Sequence, residues 1–338
     1  MAVYASVRTL AVTVATAMSL LAGSVSIAQA SAPRSAPADD AIRVATYNVM
    51  KTTRLASKWS WSKRRVALVN TVQDASPDVL AVQEANLQRW GGGTHLDDVR
   101  GLLGSLGYQI TSTDYSQCTL GCTRGAHIFF KPSRMSLATL PTGAPAAGMA
   151  GMSTIAGIDF GRTQDRNASY AFLTPLGSAR TTLFISVHLP TEKTGEGERL
   201  RVAVASALRP WADGLIAGSG ITGVNVVISG DFNSYQRRQP NGAQQILANT
   251  GMIDGYAAPE KVNGSYSTVN YTPKTRKFKG FPPRPYYYGR DTTRIDYIFS
   301  TVAPSRHEVV LHLTGDGRFD NNYRASDHNM VMVDLPLR

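Results

Sequence analysis

Cysteine is nearly missing from this chain, with 2 in 338 residues, Cys118 and Cys122. That excludes a small scaffold held by several disulfides and gives a thiolate-rich metal site no footing. Lying four positions apart, the two fit one local disulfide in an oxidising compartment, closing a loop too short to stabilise strongly. Long apolar runs are scarce as well. The one at the N-terminus, Leu10 to Leu21, follows Arg8 and precedes Ala28-Gln29-Ala30, a small-x-small pattern. This is the layout of a secretory signal peptide over residues 1–30, and no stop-transfer segment follows it. There is no Gly-x-Ser-x-Gly, no Walker A loop and no His-Glu-x-x-His, so serine-hydrolase, P-loop and zincin chemistries have no support. Acidic residues are the scarcer charge, 24 against 35 basic, for a formal net charge of +11. An anionic partner would suit that balance: nucleic acid, phospholipid headgroups or a phosphorylated small molecule. Solubility or wall adhesion explains a basic secreted protein equally well.

What is present begins after a Pro/Ala/Ser-rich linker, residues 31–41, which is expected to be disordered. Residues 42–338 show no internal repeat and no second linker, and suit one domain. Nothing resembles a coiled-coil seam; a monomer is expected and no protein partner is implied. Ile42–Val49, Val79–Glu84, His127–Phe130, Thr181–His188, Val224–Ser229 and Arg294–Phe299 have the length and β-branched content of strands, and Met330–Val333 forms the last one. Helical spacing links Trp61, Arg65, Leu68, Val69 and Val72, then Leu96, Val99, Leu103 and Leu106, then Leu200, Val204, Leu208, Trp211 and Leu215. Strands alternating with helices predict a layered α/β fold.

The chain is organised around Gly230-Asp231-Phe232-Asn233, where an apolar strand stops at a glycine. Alternation along an extended chain would point Asp231 and Asn233 the same way, off the rim where α/β folds bind ligands. An Asx turn closing the strand is the plainer alternative. Similar polar ends recur at Asn48, Glu84, His188, Asp296 and Asp327-His328. Each has a structural explanation taken alone: an ion pair from Glu84 to the basic residues near Arg64 and Arg65, a hydrogen-bonded core histidine at His188, a cap or ion-pair partner at Asp296. Their recurrence is not what packing would select. Carboxylates that hold a cation, a base that aligns water, and an Asp–His pair that fixes a tautomer together suit metal-assisted hydrolysis of a phosphate ester.

Thr46-Tyr47-Asn48-Val49, Gln83-Glu84, Val187-His188-Leu189, Gly230-Asp231-Phe232-Asn233, Arg294-Ile295-Asp296-Tyr297 and Ser326-Asp327-His328 resemble, in order, the endonuclease/exonuclease/phosphatase superfamily of DNase I-like fold. The resemblance runs from about residue 42 to the C-terminus. It implies a four-layered α/β sandwich, with two mixed β-sheets packed face to face and helices outside. It further implies Asn48, Glu84 and Asp327 at a Mg²⁺ or Mn²⁺ ion, and His188 as the phosphate-contacting, acid/base histidine. Asp231 and Asn233 would align water and phosphate, and Asp296 would orient His328. Either Asp231 or His328 could be the base. One departure is visible: the glutamate that precedes the His127–Phe130 strand in DNase I has no counterpart in Thr123-Arg124-Gly125-Ala126.

Substrate choice is expected in the Lys274–Arg294 loop, where Lys277, Lys279 and Arg290 are candidate substrate-binding residues. Its basic side chains interleave with Phe278, Phe281 and Tyr286-Tyr287-Tyr288, which suits a polyanionic backbone and stacked bases. A secreted nuclease acting on DNA or RNA is the first expectation. A sphingomyelinase-like enzyme docking on an anionic or choline phospholipid surface is the second. An inositol-phosphatase role and a non-catalytic binding protein of the same fold come after these. A stiff surface loop with ordinary aromatic packing remains the plain alternative.

Overall fold

The computed structural model describes residues 37, 40–52, 59–114, 125–160, 166–191, 195–235, 242–270, 282–287 and 294–336. Cys118, Cys122 and residues 1–36 lie outside these. The chain opens β1 (Ala41–Asn48), α1 (Trp61–Ala75), β2 (Val79–Gln83), a short hairpin β3 (Arg89–Trp90) and β4 (Gly93–Thr94), and α2 (His95–Ser105). Then come β5 (Gln109–Ile110), β6 (Ala126–Phe130), β7 (Met135–Leu137), β8 (Ala147–Gly151), α3 (Met152–Ala156) and β9 (Asn167–Pro175). β10 (Thr182–His188), α4 (Gly195–Ser219), β11 (Asn225–Asp231) and α5 (Ala243–Asn249) follow. The last strands are β12 (Ile253–Asp254), β13 (Glu260–Val262), β14 (Asp296–Ser300), β15 (Arg306–Val309) and β16 (Val331–Pro336).

One seven-stranded sheet has the order β13-β15-β16-β1-β2-β6-β5, and the other runs β12-β14-β11-β10-β9-β7 with β8 also on β9. Both are mixed. β1 and β2 are parallel, as are β10 and β11, while β16, β6, β9 and β14 flank them antiparallel. Each parallel pair needs a crossover, which α1 and α4 supply.

Side-chain alternation builds the layers. Along β10, Leu183, Ile185 and Val187 join a core with Leu200, Val204 and Leu208 of α4, while Phe184 faces the other way. Phe184 packs between the sheets with Val227, Ile298, Ile42, Val44, Val79, Ile128 and Val331. On the far side, Tyr47, Leu80, Val82 and Phe129 meet Trp61, Leu68, Val72, Leu96, Val99 and Leu103. Three apolar slabs therefore separate four layers, helices–sheet–sheet–helices. The start of α2 is locked by a capping box: Thr94 Oγ1 accepts from the Asp97 N–H (3.1 Å) and Asp97 Oδ2 accepts from the Thr94 N–H (2.9 Å). Among the described residues no helix is long and apolar enough to cross a membrane.

Along α1 the buried arginine is Arg64 and not the predicted Arg65. Trp61, Arg64, Leu68 and Thr71 form the inward stripe, while Arg65 turns out to meet Asp98. Spacing of three and four from Trp61 admits either residue, and only the neighbouring layer distinguishes them.

Candidate active site

The parallel registers deliver the polar residues to one rim. Asn48 lies opposite Gln83 between β1 and β2, so Glu84 emerges one residue further on. In the other sheet His188 lies opposite Asp231, and Asp231 opposite Asp296, which opens β14, two residues after the expected strand start at Arg294. Beneath this rim the core between the sheets turns polar. Thr46 Oγ1 donates to Gln83 Oε1 (3.2 Å) and Gln83 Nε2 to Ser186 Oγ (3.2 Å), tying sheet to sheet.

Asp231 is the hub. Its Oδ2 accepts from Asn48 Nδ2 at 3.0 Å and lies 3.4 Å from His188 Nε2 and 3.9 Å from His328 Nε2. Asn48 Nδ2 also reaches Glu84 Oε1 at 3.3 Å, and the Lys51 N–H donates to Glu84 Oε2 at 2.8 Å. His328 Nδ1 sits 2.9 Å from Asp296 Oδ2. Ser326 Oγ donates to Asn48 O at 2.6 Å, drawing the Asp327-His328 segment against the end of β1. Asp231, Asp296 and His328 form a buried group whose ligating atoms all lie within 4.8 Å of one another.

Burial pushes the Asp231 carboxyl up to about 7, with the Asp296 charge second and His328 opposing. For His328, burial works against the charged form, but the charge and hydrogen bond of Asp296 and the charges of Asp231 and Asp327 outweigh it and hold the imidazole protonated well above its ordinary range.

Three of the five non-glycine residues at positive φ among the described residues lie here: Met50 (57°), Glu84 (65°) and Asn233 (47°). Such backbone costs about 1–3 kcal/mol per residue and persists where surroundings impose it, commonly at working sites. Asn233 corrects the expectation that it points with Asp231. Its left-handed backbone ends the alternation, so its amide donates to Leu189 O (3.0 Å) while its N–H caps Asp231 Oδ1 (2.9 Å). The Asx turn and the polar site are thus the same residues.

Gly230 is required twice over, by φ of +150° and because a Cβ there would lie 1.9 Å from Val187 O on the neighbouring strand. Gly230→Ala is expected to cost about 3 kcal/mol or more, since the two site strands must part; urea unfolding with an unshifted midpoint would refute this.

Lys277, Lys279 and Arg290 lie outside the described residues. Sequence reasoning passed over several contributors. Thr268 Oγ1 accepts from the Ile295 and Asp296 N–H groups (3.1 and 3.2 Å), fixing the start of β14. The Asn270 N–H donates to Asp327 O (2.7 Å), and its side chain donates to Asn329 Oδ1 (2.8 Å). Neither carried any local signal. Arg64, Arg166 and Arg201 are buried beside the rim, and for Arg64 and Arg201 the signal was an arginine on an otherwise apolar helical stripe.

The model of the Endonuclease/Exonuclease/phosphatase family matches residues 45–328, from β1 through His328. The chain belongs to this family. Its members are hydrolases of phosphoester bonds and typically use a divalent metal, with which the buried Asp231–Asp296–His328 group is compatible. Solved structures of the endonuclease/exonuclease/phosphatase fold superpose over most of the chain at low identity. The mannosyl-6-phosphatase of Bacteroides thetaiotaomicron is 19% identical with a TM-score of 0.60, covering 86% of this chain and 98% of its own. The human Nocturnin catalytic domain with bound sulfate is 19% identical at 0.55, covering 87% and 93%. D. rerio TDP2 complexed with a single-stranded DNA product is 15% identical at 0.53, covering 88% and 99%. No curated protein matches the chain.

Proposed function

We propose that this phosphoesterase is a secreted, divalent-metal-dependent phosphodiesterase that hydrolyses nucleic acid. The observation that carries the hydrolytic reading is the convergence of Asn48, His188 and His328 on one oxygen of the buried Asp231. Water and phosphate meeting there would find an acceptor, two imidazoles and an amide within a few ångströms. Secretion is proposed from the N-terminal Arg8, Leu10–Leu21 and Ala28-Gln29-Ala30 pattern alone.

Asn48, Glu84 and Asp327 would hold Mg²⁺ or Mn²⁺, because all three offer the hard oxygen donors such ions select. His328 is the poorer ligand: Asp296 occupies Nδ1, and a protonated imidazole has no free lone pair. When bound, the ion supplies charge neutralisation at the phosphoryl oxygens. Asp231, raised towards neutrality, is matched to taking a proton from water at Oδ2. His328, with Asp296 on Nδ1 and Asp231 beyond Nε2, is set in surroundings that favour its charged form and suit it to bear charge developing on the phosphate. His188, with Nε2 3.4 Å from Asp231 Oδ2, is assigned to the phosphate and the leaving oxygen. Asn233 serves through its turn, holding Asp231 Oδ1 so that Oδ2 faces the site.

Nucleic acid is favoured by the net charge of +11 and by aromatic and cationic groups flanking the Asp327-His328 segment. Val269 bridges His328, and Tyr266, immediately before the Ser267–Asn270 segment, stacks on Tyr287 at 4.8 Å. Arg324 lies 4.0 Å over Phe319 and 5.9 Å from Trp59. Of these, the Tyr287 ring is exposed and offers a face on which bases stack without sequence preference, while Arg324 is buried. The complex of D. rerio TDP2 with single-stranded DNA adds a precedent on the same fold.

The test is a turnover assay with Mg²⁺ and then EDTA on plasmid DNA, RNA, sphingomyelin vesicles and a soluble phosphomonoester. EDTA-sensitive cleavage of DNA or RNA is expected. Turnover of vesicles or the phosphomonoester alone would replace the nucleic-acid assignment while keeping the hydrolytic one, and silence on all four would end both.

A further inference from the structure

Each half of the site is assembled by the same device. A strand ends on a site residue (β1 at Asn48, β10 at His188), the chain turns into a helix (α1, α4), and a parallel strand returns to end at the acid (Glu84 after β2, Asp231 in β11). The turn after the first strand is the weak point. It leaves the ladder while still buried: Val49, Met50 and Leu189 have no exposed surface. Buried carbonyls there need donors that no strand provides.

An arginine supplies them in each half. Arg64, from the first turn of α1, donates Nη1 to Val49 O (2.9 Å) and Ala325 O (2.6 Å), Nη2 to Met50 O (3.1 Å) and Lys51 O (3.2 Å), and Nε to Trp59 O (3.0 Å). A guanidinium has five N–H groups, and all five end on backbone carbonyls. In the second half, Arg201 of α4 donates Nη1 to Pro190 O (2.7 Å), steadied by Glu198 on Nε and Nη2. Arg166 joins it, donating to Leu189 O (3.0 Å) and Thr191 Oγ1 (3.2 Å).

The peptides so held are those that hold the site. The Met50 N–H donates to Asn48 Oδ1 (3.0 Å), and the Lys51 N–H donates to Glu84 Oε2 (2.8 Å). Ala325, whose carbonyl Arg64 also fixes, precedes Ser326, which bonds Asn48 O, and Asp327. Arg64 therefore reaches Asn48 and Glu84 through one intervening peptide each, and Asp327 through Ser326. Across the rim, the Leu189 N–H donates to Asp231 O (2.9 Å), and Leu189 O accepts from Asn233 Nδ2 (3.0 Å) as well as from Arg166. The second clamp acts on the His188–Asp231–Asn233 side.

We propose that Arg64 and Arg166 are positioning residues that set the two halves separately, Arg64 the cation-binding half and Arg166, through Leu189 O, the water- and phosphate-handling half. The proposal rests on the metal-dependent reading above. Lysine keeps the charge but offers three donors without the planar fork, so Arg64→Lys can satisfy at most three of the five carbonyls.

Mn²⁺ is titrated calorimetrically into the metal-free full chain with no substrate present. Arg64→Lys is expected to weaken Mn²⁺ binding about tenfold or more, the scale seen when groups orienting metal ligands are removed. Arg166→Lys is expected to leave Mn²⁺ affinity at the wild-type value and to lower kcat about tenfold at saturating metal. Wild-type Mn²⁺ affinity in Arg64→Lys, or equal loss in both variants, would overturn the division of labour. A wild type that binds no Mn²⁺ would instead overturn the underlying metal-dependent reading. Should Arg64→Lys lose its cooperative urea transition, amide hydrogen exchange on the metal-free wild type gives the answer. A clamp formed before the ion arrives protects the Met50 and Lys51 amides as strongly as β1, and exchange at exposed-loop rates would refute it.

Discussion

Replacing Glu84 with Gln is expected to lower phosphoester hydrolysis about 10³-fold at saturating Mg²⁺, the equivalent of roughly 4 kcal/mol of lost transition-state stabilisation. The substitution preserves shape, but the Lys51 N–H and the Asn48 amide bond different carboxylate oxygens, so the single oxygen of glutamine can meet only one of them. What is lost is a charge on a backbone forced to φ 65°, a conformation glutamate adopts only where the surroundings compel it. Folding should suffer little. The unfolding midpoint is expected within a few degrees of wild type. His188→Ala is expected to match the loss of activity while leaving Mn²⁺ affinity intact, since its ring faces Asp231 and not Glu84. Turnover within tenfold of wild type in either purified variant would remove that residue from the site. Loss of the cooperative unfolding transition would instead reassign it to the core.

Acidification is expected to unfold the protein over a narrow range below neutrality. Three histidines are buried as neutral rings away from the hub. Burial lowers His95 to about 4, helped by the Arg64 charge, and His127 to about 4; His307 falls to about 3 through burial and the Arg294 charge. Their folded pKa values lie below the unfolded value near 6.5, so the unfolded chain binds the extra protons. Stability is complete above about pH 6.5 and is lost as pH falls towards 4. Asp231 acts in the opposite sense: raised to about 7, it takes its proton in the folded state first and offsets one of the three. His328, raised, is protonated in both states below about 6.5 and leaves the slope unchanged there. A net difference of about two protons gives roughly 3 kcal/mol per pH unit once the unfolded histidines are charged. Urea unfolding from pH 7.5 to 4.5 measures the slope directly. His307→Gln, which cannot titrate, should remove about one proton from it; a slope that ignores both pH and this substitution would refute the assignment.

Much of the site was legible because its residues sit where strand patterns stop. Asp231, His188, Glu84, Asn48 and Asp296 each interrupt an apolar run, and a carboxylate or imidazole at a buried strand end is costly enough to stand out against its neighbours. The helical stripes of α1, α2 and α4 were equally plain, because periodicity records burial. Less was visible where the backbone departs from regular geometry. Alternation sent Asn233 into the site beside Asp231, whereas its left-handed φ turns the side chain back to Leu189 O. Thr268 and Asn270 stand in a segment without strand periodicity, and they matter only because it lies alongside Asp327–Asn329.

The sequence by itself determined the family, through its ordered motifs, the main strands and helices, and the residues that are candidates for chemistry. These are properties of local pattern: period two or 3.6, a glycine at a strand end, a charge where an apolar side chain would pack. Only the tertiary structure decided the partnerships. Asn48 and Asp231 are 183 positions apart and bonded at 3.0 Å. Arg64, not Arg65, faces inward, and its five donors meet carbonyls from segments as distant as Val49 and Ala325. Such contacts depend on how two sheets and four layers settle against one another. The free energy that selects them comes from burying whole faces, and no single position in the chain records it.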